Sequence, residues 1–331
     1  MNLNNEKVNL GIAIPTYNRA ETLDFFFKVH IDRFKKYNTH IFLVNNSSTD
    51  NTLDVLSYWK EQYSNIFWIT NDETVHADQN VQHALEFASA KYVWLLGDSY
   101  EIPESSLAVV SDLVRYDNSD ILLTNHADKH QNVGLKVYNS VTSFTNEICY
   151  LSSCISCLIF KKDKLDSEVL AKYRGSDFGH YGYVLDFIKN NSFKLSFLSN
   201  INVVTLKTPA RKKPWSTSFF SILFEKLPNL LNSLNEQYNE KEKLAIIRLT
   251  LAKTGLLNFR NIMYVRASRN LNDEVLSAHK EDILKYASKK TYFLCTVMNR
   301  LPVHFCRVLL TVIEFYRRYR FKALKFLKLV E

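Results

Sequence analysis

The first 125 residues alternate between apolar runs and segments with helical spacing. Five short apolar runs bounded by polar turn residues have the character of buried strands, at 8–15, 40–45, 66–70, 92–97 and 120–124. The segments between them repeat apolar side chains at helical spacing, at 20–37, 52–63, 78–90 and 103–116. Strands that are apolar on both faces and alternate with helices are typical of a parallel sheet covered by helices on both sides. This pattern predicts an α/β fold.

The pattern changes near residue 126 and again near residue 216. Residues 126–215 are less regular, with apolar patches at 149–161 and 193–206 on both sides of the stretch RGSDFGHYGY. From residue 216 onward the pattern is mainly helical. We therefore predict three regions, at 1–125, 126–215 and 216–331.

The C-terminal segment 302–330 has the pattern of an amphipathic helix. Its apolar side chains fall on one face, namely Phe305, Leu309, Val312, Tyr316, Tyr319, Ala323, Leu327 and Val330. Its charged side chains fall on the opposite face, namely Arg307, Glu314, Arg318, Lys322, Lys325 and Lys328. A basic amphipathic helix with aromatic side chains suits an anionic membrane surface. The alternative is a terminal helix that docks on its own domain and leaves its basic face in solvent.

The net charge of +8 lies mostly in this segment. Residues 300–331 carry a charge of +6, whereas residues 1–299 carry only +2. A nearly neutral body argues against a nucleic-acid-binding surface spread over the fold. We therefore expect no nucleic-acid partner and assign the excess charge to a local feature of the C-terminus.

The composition is that of a folded protein of a reducing compartment. Hydrophobic residues make up 46% of the chain and charged residues 23%, which excludes a disordered chain. The five cysteines are an odd and sparse set, so no disulfide framework is expected and a cytoplasmic location fits better. The first ten residues have no apolar signal-peptide segment, and no apolar run of about 18 residues predicts a transmembrane helix.

Polar clusters follow three of the predicted strands, at 15–19, 45–50 and 97–101. In an open α/β sheet, ligands bind at the carboxyl ends of the strands. A tyrosine there can stack on a base, amides and carboxylates can bond the base and the ribose, and an acid can hold a cation against a diphosphate. The sequence has no GxGxxG after the first strand, which disfavours a dinucleotide fold, and no GxxxxGK[ST], which excludes a P-loop.

Three strings in these clusters, IAIPTYNR, LVNNSSTDNT and YVWLLGD followed by IPESSL, resemble the nucleotide-sugar domain of family 2 glycosyltransferases. The strings CISCLIFKK and YRGSDFGH resemble the acceptor-side segment of the abequosyltransferase-like enzymes of bacterial O-antigen synthesis. The resemblance implies the GT-A fold, a Rossmann-like and mostly parallel sheet with helices on both faces, followed by a mainly helical C-terminal region. Residues 1–125 would then hold the nucleotide sugar, and residues 126–215 would form the acceptor side.

The resemblance also implies a donor nucleotide site at the matched positions. Thr16 and Tyr17 fall where the base is contacted, and Asn45 stands where the family has an Asp that meets the uracil or thymine edge. The implied donor residues are Pro15, Thr16, Tyr17, Arg19, Asn45, Asn46, Asp50, Asp78, Asn80 and Asp98. The amide at position 45 leaves uracil, thymine and cytosine open, since an amide can present either polarity.

The acidic DXD cluster of the family is degenerate in this chain. Asp98 matches its first acid, but Ser99 and Tyr100 replace the other two, the last of which is usually the metal ligand. His76 also replaces a common glycine. Three alternatives follow: Asp98, with Glu101, holds a weaker Mg²⁺ or Mn²⁺ site; Arg or Lys neutralises the diphosphate without a metal; or the domain binds a donor without catalysis.

Inverting transfer needs a general base for the acceptor hydroxyl and positive charge on the departing diphosphate. Family 2 enzymes take the base from the acceptor side, so the resemblance implies Asp177 as first choice and His180 as second. The alternative is that Asp177 caps the helix predicted to begin near it. The basic cluster that resembles the diphosphate-binding loop is Arg211, Lys212 and Lys213, for which a solvated linker is the alternative.

The hypothesis that follows is an inverting glycosyltransferase of bacterial lipopolysaccharide O-antigen or capsule synthesis. Its donor would be a UDP, dTDP or CDP sugar, and its acceptor a polyprenyl-diphosphate-linked glycan. We expect a cytoplasmic protein that is peripheral on the inner face of the cytoplasmic membrane, and a homo-oligomer stays open. The alternatives are a non-catalytic nucleotide-sugar-binding or scaffold subunit of the same assembly and, with weaker support, a nucleotidyltransferase.

Overall fold

The computed structural model describes residues 8–130, 133–207, 216–234 and 238–327. The chain divides into two compact units. The first consists of Met1–Arg211 and Asn229–Ile246, and the second of Lys212–Pro228 and Ile247–Glu331. The segment Asn229–Ile246, which the sequence pattern groups with the C-terminal helices, thus belongs to the first unit.

Within the described residues, the first unit contains a nine-stranded sheet. Its strands are β1 (Leu10–Thr16), β2 (His40–Asn45), β3 (Ile66–Thr70), β4 (Tyr92–Leu95), β5 (Tyr100–Glu101), β6 (Ile121–His126), β7 (Leu135–Tyr138), β8 (Leu158–Lys161) and β9 (Leu195–Thr205). Their spatial order is β3-β2-β1-β4-β8-β6-β9-β5, and β7 also pairs with β9. The first four strands pair in parallel, as do β6 and β9, whereas β8 runs antiparallel between β4 and β6.

Helices connect these strands and cover the sheet. They are α1 (Ala20–Lys36), α2 (Thr52–Gln62), α3 (Ala77–Phe87), α4 (Glu104–Tyr116), α5 (Val141–Glu147), α6 (Ser167–Lys172) and α7 (Gly179–Asn190). Short 3₁₀ turns occur at Cys149–Ser153, Ile155–Cys157 and Lys162–Lys164. The strand order reverses between β1 and β4, and in such a sheet a crevice opens at the carboxyl ends of the two strands.

The C-terminal part of the chain is helical. Its helices are α8 (Phe219–Ser221), α9 (Leu227–Ser233), α10 (Glu240–Lys253), α11 (Phe259–Ala267), α12 (Asp273–Ala278), α13 (Lys280–Asp282), α14 (Lys289–Arg300) and α15 (Val303–Leu327). Two π-helical turns, at Ile222–Lys226 and Ile283–Ala287, continue α8 and α13. The mostly parallel α/β sheet followed by a helical region is the fold that the sequence predicts.

The central strands are buried because their apolar runs face helices on both sides of the sheet. Ile12, Leu43 and Trp94 have no exposed surface. Gly11 allows a close approach within this core, since a Cβ at that position would lie 2.9 Å from the ring of Phe42. Continuous apolar runs of this kind are the reason that β1, β2 and β4 are predictable from the sequence.

The ends of the predicted elements shift, and four strands were not predicted. The predicted strand 92–97 ends at Leu95, which leaves the following residues in the loop where the candidate site lies. The unpredicted strands are β5, β7, β8 and β9. Strands β8 and β9 lie within the two apolar patches of the irregular middle region, where no regular alternation with helices marks them as strands.

In the second unit, α15 packs along α11. Cys306 is buried, and the Nε of Arg307 donates to the carbonyl of Ala267 at the end of α11, 3.0 Å away. Phe305 and Tyr316, which the sequence places on the apolar face, are 52% and 69% exposed. The prediction of a helix is therefore confirmed for Val303–Leu327, but these two aromatic side chains are not the ones that dock it.

The predicted face continues into a part of the helix whose side chains the structure does not describe. Tyr319, Ala323 and Leu327 belong to that part and Val330 lies outside the described residues, so the face they share stays a prediction. No single described helix is long and apolar enough to cross a bilayer. The segments Lys289–Arg300 and Val303–Ile313, bent by 110°, reach that length and composition only as a pair.

Candidate active site

A bidentate ion pair joins the loops that follow β1 and β4. The Nε of Arg19 lies 3.3 Å from Oδ2 of Asp98, and its Nη2 lies 3.2 Å from Oδ1. The same Nη2 donates to the hydroxyl of Ser99 at 2.8 Å, and the hydroxyl of Thr16 donates to Oδ2 of Asp98 at 3.4 Å. The crevice between the two strands is thus closed at its base by one guanidinium and one buried carboxylate.

The turn after β1 is held against the loop that follows β2. Asn18 adopts a left-handed conformation, with φ of 49°, and asparagine tolerates this conformation better than most residues. Its backbone N–H donates to Ser48 Oγ at 2.8 Å, and its Oδ1 accepts from the backbone N–H of Thr49 at 2.7 Å. Next to it, the side chain of Tyr17 is 44% exposed. Its ring is therefore accessible for stacking on a planar ligand.

Asp50 faces the first turns of two helices. Its Oδ2 accepts from the backbone N–H of Ala20 at 3.0 Å, and its Oδ1 accepts from the backbone N–H of Thr52 at 3.1 Å. Partial burial acts to raise the pKa of this carboxyl, but the hydrogen bonds from Thr52 and Ala20 outweigh it and lower the pKa. The structure therefore uses Asp50, predicted as a donor ligand, to fix the starts of α1 and α2.

Buried amides fill the edge of the sheet beyond β2. Asn46 donates from Nδ2 to the carbonyl of Val75 at 2.8 Å and accepts from the N–H of the same residue at 2.9 Å. The amide of Asn71 donates to Oδ1 of both Asn46 and Asn80, at 2.9 and 3.0 Å. A carboxylate at position 46 could not donate to the Val75 carbonyl, which explains why an amide replaces the aspartate of the family pattern.

Asn45 and Asn80 support the ends of the strands. Asn45 is fully buried, and its Oδ1 accepts from the backbone N–H of Ser48 at 3.2 Å. The Nδ2 of Asn80 lies 3.5 Å from the carbonyl of Thr16 and 3.4 Å from that of Val44. Both predicted donor residues thus lie at the carboxyl edge, where they fix the backbone around the crevice.

Asp78 connects the donor side to the acceptor side. Its Oδ2 accepts from the backbone N–H of Asp177 at 2.8 Å, and its Oδ1 accepts from that of Gly179 at 3.1 Å. A Cβ at Gly179 would lie 3.1 Å from the Asp78 carboxyl carbon, so a larger residue there would push the carboxylate by a few tenths of an ångström. The carboxylate expected to reach the base and ribose is instead bound to the start of α7. These N–H groups are thus bound by the Asp78 carboxylate, and Phe178, the residue just before the helix, makes no side-chain cap.

The acceptor-side acid Asp177 faces a histidine that the sequence marks only as a departure from the family pattern. Asp177 has a φ of 63°, a strained conformation for a residue other than glycine, and its side chain is 28% exposed. His76 Nδ1 accepts from the backbone N–H of Asp78 at 3.2 Å. In the neutral ring the proton therefore lies on Nε2, which is 3.3 Å from Oδ1 of Asp177. His76 thus orients the candidate base.

His180, the second candidate base, is enclosed. Its side chain is buried, and its Nε2 lies 3.1 Å from the carbonyl of Ser153. Burial lowers the pKa of the imidazole, and the Ser153 carbonyl and Asp78 oppose that effect only in part. A ring with this nitrogen on a carbonyl is poorly placed to take a proton from a ligand in the crevice. The geometry favours Asp177.

The residues around Asp98 do not fit the divalent cation that the family implies. The two oxygens of Asp98 already accept four hydrogen bonds, which is about all that a carboxylate can take. Glu101 faces away, since its Oε1 accepts from Arg33 at 2.9 Å. The ring of Tyr100 packs edge-on against His126, with centroids 5.6 Å apart. Among the described residues, no three His, Cys, Asp or Glu side chains converge as metal ligands.

Two further features lie away from this crevice or outside the described residues. Arg211, Lys212 and Lys213, predicted to bind the diphosphate, lie outside the residues that the structure describes, so their role stays a prediction. A cavity of about 700 Å³ lined by Lys164, Asp186 and Asn190, among others, lies near the start of β4, at the opposite edge of the sheet. Its walls carry none of the predicted site residues.

The sequence identifies most of the residues of the crevice but not their pairing. Arg19 and Asp98 were both assigned to the donor, whereas the structure binds them to each other. Asn71, at the centre of the amide network, was missed, because a single polar residue after a short strand carries no distinctive pattern. The nearest signal for His76 was that it replaces a small residue of the family pattern.

Comparison with known proteins gives both a family and a fold. The family model described as Glycosyl transferase family 2 matches residues 11–161. The abequosyltransferase RfbV of Salmonella typhimurium is 24% identical over 221 residues, which cover 59% of this chain and 66% of that protein, just under two thirds of its length.

Two solved structures show the same fold at low identity. S. aureus TarS 1–349 superposes with a TM-score of 0.50 and 15% identity, covering 93% of this chain and 91% of that one. The mannosyltransferase PcManGT from Pyrobaculum calidifontis, solved in complex with GDP-Man and Mn²⁺, gives a TM-score of 0.52 and 13% identity, covering 89% and 88%. The superpositions span both the sheet and the helical region.

Proposed function

The chain belongs to glycosyltransferase family 2 and has the GT-A fold, and from this we propose that it is an inverting transferase for a pyrimidine-nucleotide sugar. The donor would be of the UDP, dTDP or CDP type. The observation that carries the proposal is the contact between Asp78 and the backbone of Asp177. It supports the proposal because Asp78 belongs to the donor side and Asp177 is the candidate base of the acceptor side.

The donor residues fall into two groups. Tyr17 presents an exposed ring at the end of β1, where a base can stack, and Arg19 and Asp98 lie at the bottom of the crevice. The other predicted donor residues, including Pro15 on β1, form the walls that hold these groups in place. The pyrimidine assignment is supported by the resemblance of the segment around Asn45 to the uracil- or thymine-binding strings of the family.

In the proposed reaction Asp177 acts as general base. A hydroxyl of the acceptor attacks the anomeric carbon from the face opposite the diphosphate and gives its proton to the Asp177 carboxylate. The bond from the anomeric carbon to the diphosphate oxygen breaks, and its electron pair leaves with the nucleoside diphosphate. Configuration at the anomeric carbon is inverted. The N–H of His76, 3.3 Å from Oδ1 of Asp177, holds the carboxylate in place.

We also propose that the acceptor is a polyprenyl-diphosphate-linked glycan of bacterial O-antigen or capsule synthesis. Support comes from the similarity to an abequosyltransferase and from the segment 173–180, which carries Asp177. A peripheral position on the inner face of the cytoplasmic membrane would bring the enzyme to such an acceptor. The aromatic side chains of Phe293, Phe305, Phe315 and Tyr316 are exposed on α14 and α15, and the basic segment 300–331 contains α15.

Donor turnover tests the proposal. The purified full chain would be incubated with UDP, dTDP, CDP and GDP sugars, each with and without a lipid-linked glycan acceptor, and nucleoside diphosphate release would be measured. We expect release from one pyrimidine donor that depends on the acceptor, with inverted configuration in the product. A donor that binds but is never turned over with any acceptor would instead support the non-catalytic binding subunit. Retained configuration would contradict the single-base mechanism.

A further inference from the structure

The carboxylate that aligns with the acidic cluster of the family is already saturated. Asp98 is almost fully buried, and each of its oxygens accepts one hydrogen bond from Arg19. Oδ2 also accepts a hydrogen bond from the hydroxyl of Thr16, and Oδ1 accepts one from the hydroxyl of Ser99. A cation that coordinates Asp98 would have to displace the guanidinium and would then lie beside it, at a cost in charge repulsion.

The neighbouring residues offer no replacement ligand. Glu101 belongs to a separate ion pair, because Arg33 donates both to its carboxylate and to the backbone carbonyl of Ile102. Tyr100 occupies the position where the family has its metal-binding acid, and its ring packs against His126 at the end of β6. Mg²⁺ and Mn²⁺ require oxygen ligands in a compact arrangement, and the described residues of this loop do not provide one.

Arg19 places a positive charge where the family places the cation. Its side chain is 32% exposed, so it reaches from the buried carboxylate into the crevice. Nε and Nη2 face Asp98 and Ser99, and Nη1 has no hydrogen-bond partner among the described residues. Two bonds to the carboxylate fix the plane of the guanidinium. Guanidinium groups fixed in this way bind phosphate oxygens with good geometry.

We propose that Arg19 supplies the charge that binds and stabilises the donor diphosphate, and that the chain binds its nucleotide without a divalent cation. The proposal rests on the proposed function, since it concerns the same donor site. Asp98 then acts as a positioning residue, because it holds the guanidinium in the crevice. On departure of the leaving group, the new negative charge of the diphosphate would fall on Arg19, which needs no proton transfer to stabilise it.

Nucleotide binding tests this inference independently of turnover. Titration calorimetry would measure the affinity of the full chain for the nucleosides, nucleoside monophosphates and nucleoside diphosphates of uracil, thymine, cytosine and guanine. Each titration would be run first in EDTA and then in Mn²⁺. The ratio of diphosphate to monophosphate affinity reports the contacts of the second phosphate. We expect Mn²⁺ to change this ratio by less than about twofold, because the charge is already provided by Arg19.

The variants Arg19→Met and Arg19→Lys identify the group responsible. Arg19→Met should lower the ratio about 10- to 100-fold, the effect of losing one charge-assisted phosphate contact, while leaving nucleoside affinity unchanged as evidence of an intact base site. Arg19→Lys, which keeps the charge but loses the fork, should recover part of the loss. Arg33→Met is the matched control, since it removes the other arginine–carboxylate pair of the same loop, and it should leave the ratio unchanged.

Two results would overturn the inference. One is diphosphate binding that requires Mn²⁺, with a ratio that rises about tenfold or more when the ion is added. The other is a wild-type ratio in Arg19→Met. If none of the nucleotides binds to the wild-type chain in either buffer, the proposed function itself fails. The two results above overturn only the inference, so the two failures are distinguishable.

Discussion

The crevice in the first unit and the last two helices of the second unit differ in the environment of their side chains. Around the crevice, polar groups are bound to one another: Asp98 to Arg19, Asp78 to the start of α7, and Asn46 to the backbone of Val75. On α14 and α15, large apolar side chains such as Phe293 and Phe315 lie in solvent.

This difference in side-chain environment bears on the role of each region. A crevice whose walls already satisfy their own hydrogen bonds presents only a few groups to a ligand, in fixed positions, and such preorganisation is what a transfer reaction needs. Exposed aromatic side chains along one helix gain nothing in water and gain free energy when another phase covers them. The first region therefore holds its polar groups in place before a ligand binds, whereas the second leaves large apolar side chains in contact with water.

The largest expected effect falls on the crevice. Asp177→Asn keeps the size of the side chain and removes the base, so sugar transfer should fall about 10²- to 10⁴-fold while donor affinity stays within about twofold. Single-turnover transfer and nucleotide titration measure the two quantities. Asp112→Asn, on the exposed face of α4, is the control and should be silent. Full activity in Asp177→Asn would show that the base lies elsewhere.

A smaller effect is expected on the pH dependence of stability, which depends on the buried neutral side chain of His30. His30 accepts the N–H of Ile102 on Nε2 and donates from Nδ1 to the carbonyl of Phe26. Burial lowers its pKa from 6.5 to about 4. Between pH 6.5 and pH 4 the imidazole therefore takes up a proton in the unfolded chain but not in the folded one. The free energy of unfolding should be highest above pH 6.5 and fall by up to about 3 kcal/mol as the pH drops toward 4.

Urea unfolding across this pH range measures the loss. His30→Gln should flatten the pH dependence of the unfolding free energy between pH 6.5 and 4, because it removes the group that takes up the proton. His304→Gln, on the exposed side of α15, should leave the slope as in the wild-type chain. An unchanged slope in His30→Gln would assign the acid sensitivity to other groups.

The smallest expected effect concerns the exposed helix. The double variant Phe305→Ser and Tyr316→Ser should weaken binding to vesicles rich in anionic lipid by about tenfold, since two aromatic side chains no longer enter the interface. Vesicle co-sedimentation measures it. Tyr116→Ser, which removes a 79% exposed aromatic side chain from α4, serves as the control. Equal loss in both variants, or none in the double variant, would contradict the membrane proposal and weaken the contrast between the two regions.

The sequence predicts the parts of the fold whose signals are local. Strands β1, β2 and β4 carry continuous apolar runs, and their loops carry the motifs that resemble the family. The antiparallel strand β8 has an equally apolar sequence, but its place between β4 and β6 follows from pairing with residues far away in the chain. Long-range pairing of this kind produces no periodic pattern of apolar residues in the sequence. The edge strands β5 and β7 also lack such a pattern.

The same limit applies to the site. Motif positions identified Arg19, Asp98 and Asp177 as residues of interest, because residue type and spacing are enough to place them at strand ends. They could not indicate that Arg19 binds Asp98 or that Asp78 binds the backbone of Asp177, since these contacts join residues about 80 and 100 positions apart. The role of His76 depends on a ring tautomer that is fixed by a backbone N–H two residues away, which only the folded loop shows.

The contact between Asp78 and the start of α7 has a consequence for engineering. Because one carboxylate of the donor half binds two backbone N–H groups of the acceptor half, the two halves are not interchangeable modules. A chimaera that joins residues 8–125 of this chain to the acceptor segment of a relative would need a small residue and two N–H groups that face Asp78 at the matching positions. Exchange of acceptor specificity is therefore best attempted by replacing side chains around α7, with residues 176–179 and Asp78 kept together.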